Sequence, residues 1–174
     1  MRKADSSPHD LNGRRYQMKV RTIALTLAAA VAAATAVVVV LKPPAAKESP
    51  YRLRPDDAGV VAAGAKVYEA QCASCHGANL QGQPDWRSRG PDGLLPAPPH
   101  DASGHTWHHD DETLVQITKL GVAHVIGDNT YKSAMPAYAD ILSDAQIIAA
   151  LSWIKAQWPP EARKNNDIVN SAKQ

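Results

Sequence analysis

The chain has 174 residues, 44% hydrophobic and 21% charged, and 19 Lys and Arg against 17 Asp and Glu leave a net charge of +2. So even a balance gives no basic excess for non-specific nucleic-acid binding, and two Cys are too few for a disulfide-stapled scaffold.

Residues 1–21 carry six basic side chains (Arg2, Lys3, Arg14, Arg15, Lys19 and Arg21) against Asp5 and Asp10. From Thr22 to Leu41 run 20 uncharged residues. At ~1.5 Å per helical residue they span about 30 Å, the hydrocarbon thickness of a bilayer. Residues 22–41 are therefore expected to form a transmembrane helix. The basic flank places 1–21 in the cytoplasm and everything after Lys42 on the far, periplasmic side of the cytoplasmic membrane. A cleaved signal peptide is the rival reading, because Ala34-Thr35-Ala36 has the small-x-small form that a signal peptidase accepts. Cleavage there would leave Val37 to Leu41 as an apolar stub, which favours the anchor. The rival makes the rest a soluble periplasmic protein.

Residues 42–55 are rich in Pro and Ala and read as an extended linker. One domain follows, over 56–158, and residues 159–174, polar after Pro159-Pro160, read as a flexible tail. Three amphipathic helices are expected in the domain. The first starts at Asp56-Asp57, whose carboxylates suit a helix N-terminus, and carries Val60, Val61, Gly64, Val67 and Tyr68. A second begins near Asp110-Asp111-Glu112 and stops at Gly121. The third has Ser143 with Gln146 three residues on, a capping-box pattern, and Pro159 at its end. No alternating segment predicts a strand. Between the first two helices, residues 77–103 lack periodicity and are rich in Gly, Pro and Asp. A loop of that length in a small domain needs something to wrap around.

Cys72-Ala-Ser-Cys75-His76 suggests what that is. C-x-x-C-H is the attachment signature of c-type heme. Two thiols at i and i+3 lie on one side of a helical turn, suited to add to two vinyl groups on one porphyrin edge. The adjoining His76 then projects toward the iron. Zinc would need four ligands, and no second Cys pair exists, although His100, His105, His108 and His109 offer nitrogens. A redox dithiol would need a βαβ setting that is missing. The sixth iron ligand follows by elimination: Met1 and Met18 precede the apolar span, so Met135 stands alone in the domain. A Met filling a core gap is the bland alternative.

From about Asp56 to Trp158 the chain resembles the class I monoheme cytochromes c of the membrane-anchored bacterial type. Gly64 and Tyr68 match the family's small-then-aromatic pair where the first and last helices cross, Trp153 the aromatic of the last helix, and Met135-Pro136-Ala137-Tyr138 the axial-Met segment. The resemblance implies an all-α fold, three or more helices with long loops wrapped around one covalent heme c. It also implies that a Pro carbonyl accepts the hydrogen bond of the axial His Nδ1–H. Pro96, Pro98 and Pro99 compete for that role, and Pro98 is favoured.

With His76 and Met135 on the iron, the expected function is one-electron transfer rather than catalysis. Transient docking to membrane-bound or periplasmic redox proteins is expected, with no nucleic-acid partner. Two other readings remain. The His100–His109 run, with Asp101, Asp110 and Asp111, suits a copper- or zinc-handling module. A heme enzyme would require Met135 to leave the iron.

Overall fold

The computed structural model describes residues 16–19, 21 and 49–173. The chain divides into two units, Met1–Ala45 and Ala46–Gln174. In the first, residues 16–19 and 21 are helical. The segment 22–41 read as an anchor and the linker up to residue 48 lie outside the described residues. Among the described residues no helix is long and apolar enough to cross a membrane.

The described residues of the second unit contain helices and no strand. In chain order these are α1 (Ala58–Gln71), α2 (Ala73–His76), a 3-10 turn (Thr106–His108), α3 (Asp111–Leu120), α4 (Val122–Ile126), α5 (Asp144–Gln157) and α6 (Pro160–Ser171). Local chemistry sets the helix starts. The Asp57 carboxylate accepts from the Gly59 and Val60 N–H groups, and Asp110 accepts from Thr113 N. Ser143 and Gln146 satisfy each other's backbone in a full capping box. Each such cap contributes ~1 kcal/mol by satisfying N–H groups that the helix itself leaves unpaired.

The principal helix pair is α1 against α5. They meet at Gly64, where a Cβ would overlap the Ala149 carbonyl. One turn on, buried Tyr68 lays its ring against Trp153, centroids 4.6 Å apart. Leu114, Val115, Tyr138, Leu142, Ile147, Leu151, Ile154 and Trp158 complete the core around this crossing.

Both ends of the domain extend beyond the limits expected from sequence. The linker reading of 42–55 fails at its C-terminal end. Leu53 is buried, its N–H donates to Asp111 Oδ2 at 2.9 Å, and Arg54 N donates to Ser152 Oγ at 2.9 Å. The flexible-tail reading of 159–174 is also corrected, because Pro160–Ser171 is helix α6. It docks mainly through polar groups, which an apolar-stripe reading does not register. Asn166, fully buried, donates from Nδ2 to the Trp107 and His109 carbonyls, and Asn170 bonds both Asp111 N and Asp111 Oδ1. Buried Lys155 pairs with Asp167 at 2.8 Å and with Asp111 at 3.6 Å.

Candidate cofactor-attachment site

Helix α1 ends at Gln71, and Cys72 caps it while opening the single turn of α2. Backbone bonds from Cys75 N and His76 N to the Cys72 carbonyl (3.1 and 2.9 Å) close that turn. Cys72 is half-buried and Cys75 exposed, and no disulfide joins them. Before heme attachment, burial, with a contribution from Cys75, pushes the Cys72 thiol up to about 11.

His76 is 7% exposed and follows the second thiol directly. Its Nδ1 lies 2.9 Å from the Pro98 carbonyl, so of the three competing prolines it is Pro98 that reaches the ring. A carbonyl can only accept, which puts the proton on Nδ1 and leaves the Nε2 lone pair free to bind a metal. Burial lowers the His76 pKa, and the Pro98 contact partly offsets it. The loop of residues 77–103 folds back on itself to make this contact. Gly82 N donates to the His76 carbonyl at 2.8 Å, Gln83 N to Ala97 O at 2.9 Å, and His100 N to Leu80 O at 2.7 Å. Leu80, 3% exposed, plugs the turn. Gly82 has φ +66, and a Cβ there would overlap Pro99 N, so only glycine lets the two arms approach.

Met135 is half-buried and packs against the core cluster, as do Cys72 and Ala73. Its segment is fastened at one end. Tyr138 N donates to Thr118 O at 3.0 Å, and the Tyr138 hydroxyl donates to Gln71 O at 2.8 Å. That last bond ties the Met135 loop to the residue preceding Cys72. A buried Tyr two places after a Pro was the available signal for it, but its partner is 67 residues away.

The histidine run does not form a cluster. His100 turns inward and stacks on His76, with centroids 4.0 Å apart and planes at 23°. His105 stacks on Trp86 and His108 on Trp107, while His109 meets His105 edge-on. Among the described residues no group of three or more His, Cys, Asp or Glu is placed to hold a metal ion.

The residues present fit a covalently held porphyrin on a separate ground. Trp107 Nε1 is a buried donor with no partner among the described residues. An unpaired buried N–H is costly, and a ligand carboxylate is the kind of acceptor that would relieve it.

The cytochrome c family model matches residues 61–158. Over 91 residues, 52% of this chain, the sequence is 38% identical to the cbb3-type cytochrome c oxidase subunit CcoP of Azospirillum sp. (strain B510), of which 26% is covered. Over 114 residues, 66% of this chain, it is 25% identical to the cbb3-type cytochrome c oxidase subunit FixP of Sinorhizobium medicae (strain WSM419), of which 35% is covered. The matched stretches thus span about a quarter to a third of these relatives' length. No solved structure matches. Because the family match takes in more than half of the chain, and both thiols with it, this chain belongs to the cytochrome c family and its cofactor is a covalently bound heme c.

Proposed function

We propose that the chain is a one-electron carrier whose single heme c is linked through Cys72 and Cys75 and ligated by His76 Nε2 and Met135 Sδ. When bound, the heme supplies the one-electron chemistry, its iron alternating between ferric and ferrous. The observation that carries this reading is the 2.9 Å contact of His76 Nδ1 with the Pro98 carbonyl, which fixes the tautomer needed for ligation and the direction of the ring. Met135 supplies a soft thioether, which favours the ferrous state and raises the reduction potential. If both side chains ligate the iron they would leave it no open site for substrate, which supports a carrier rather than an enzyme. Trp107 Nε1–H, a buried donor without a partner among the described residues, would donate to a heme propionate carboxylate.

The partners are redox proteins that dock transiently. Similarity to two oxidase subunits supports a membrane oxidase as one of them. The working position is the periplasmic face of the cytoplasmic membrane, with residues 22–41 as the tether that raises the effective concentration of the heme near its partners.

Carbon monoxide tests the closed site. The reduced full chain is expected to be indifferent to the gas at neutral pH. Rapid binding would overturn the carrier reading in favour of a heme enzyme with a displaceable ligand.

A further inference from the structure

His100 is set apart from the other histidines of its run by three anchors. Its backbone N–H donates to Leu80 O at 2.7 Å, and its carbonyl accepts from Trp158 Nε1 at 2.7 Å. The ring Nδ1 lies 2.8 Å from Thr106 Oγ1, whose hydroxyl also reaches the Pro99 carbonyl at 3.4 Å. Tyr68 closes on the ring edge, centroids 6.5 Å apart. With backbone and side chain both fixed, the face of this imidazole has one orientation, and the His76 ring stacks on it, centroids 4.0 Å apart and planes inclined by 23°.

The Pro98 contact restrains His76 at a single atom. One hydrogen bond sets the direction of the Nδ1–H vector but resists rocking of the ring out of its plane only weakly. A flat neighbour stacked on the ring face resists that second motion. The two restraints are complementary, and both come from the same strand of loop, at Pro98 and His100.

We propose that His100 is a positioning residue that fixes the plane of the His76 imidazole, with Thr106 holding His100 in register. This rests on the assignment of His76 as an iron ligand. The plane of an axial imidazole decides how its π orbitals meet the iron d orbitals. Freeing that plane therefore changes the electronic structure of the metal, and not only the stability of the fold.

The test uses the purified full-length holoprotein in the ferric state, read by electron paramagnetic resonance, by the hyperfine-shifted proton spectrum, and by the reduction potential. In the native protein, strongly shifted His76 ring protons establish ligation. Their absence would sink the ligand assignment itself and this inference with it. Given their presence, His100→Ala is expected to move the g-values, the spread of the heme-methyl signals and the potential. His100→Phe, which restores a flat face, is expected to return them toward the native values. Thr106→Val is expected to give a smaller change in the same direction, and it decides the matter alone if His100→Ala does not yield holoprotein. The inference is overturned if these variants lower the melting temperature while the g-values, methyl spread and potential stay native, or if His100→Phe behaves like His100→Ala.

Discussion

The neighbourhoods of His76 and Met135 are built differently. His76 sits at the end of a closed helical turn, is 7% exposed, and is held by Pro98 at one atom while His100 covers one face. The loop that brings both contacts is itself cross-linked by backbone bonds around buried Leu80. Met135 is half-buried between exposed neighbours, Lys132 to Ala134 before it and Pro136 and Ala137 after it. Its segment gains most of its definition from Tyr138. A region with few buried contacts opens at lower free energy than one with many. On the proposed ligation, the sulfur side is then where the iron's coordination gives way first, and the imidazole side persists.

The largest expected effect strikes the better-held side. Gly82→Val puts a branched side chain at φ +66 and into Pro99, which separates the arms of the loop. A loss of about 2–3 kcal/mol is expected in urea denaturation, with a lower yield of holoprotein. A variant as stable as the native chain would show that the close approach at Gly82 does not matter.

Asn166→Ala acts on helix α6, which carries neither proposed ligand. It strips the Trp107 and His109 carbonyls of their buried donor, so ~1–3 kcal/mol of stability should go while the heme absorption spectrum stays native. If the spectrum changes as well, α6 is coupled to the site and the two regions are not independent.

Tyr138→Phe removes one hydrogen bond, for which ~1 kcal/mol is expected. The comparison predicts an uneven result. Loss of the sulfur ligand should occur at lower denaturant concentration than in the native chain, and before global unfolding. Simultaneous loss of both would contradict the difference drawn between the two sides.

The smallest effect is on pH dependence. Burial lowers the pKa of His105 and His109 from the ordinary 6.5, helped in His105 by its histidine neighbours and opposed in His109 by Asp110. The unfolded chain therefore takes up protons near 6.5 that the folded chain refuses. Their contribution to stability is complete above that pH and is lost as pH falls through it. The melting temperature should be lower at about pH 5.5 than at about pH 8, and an increase would refute the assignment.

What the sequence made legible was whatever depends on near neighbours. Asp57, Asp110 and Ser143 cap the helices they were expected to start, because a cap is decided within four residues. The Cys72-x-x-Cys75-His76 spacing carries its chemistry in a single turn. Long-range polar partners were not legible. Nothing in Pro160 to Ser171 announces that Asn166 and Asn170 satisfy groups about 60 residues away, so the segment reads as a tail. His100 looked like one of four loop histidines, since only the folded-back loop brings it against His76. Leu53 looked like linker because its partner, Asp111, lies across the domain.

The most direct test of the central claim is the ferric absorption spectrum of the purified full chain beside that of Met135→Ala. The account predicts a weak far-red charge-transfer band from a sulfur–iron bond in the native protein, and its disappearance in the variant with the heme still covalently attached. Persistence of the band in Met135→Ala would contradict it.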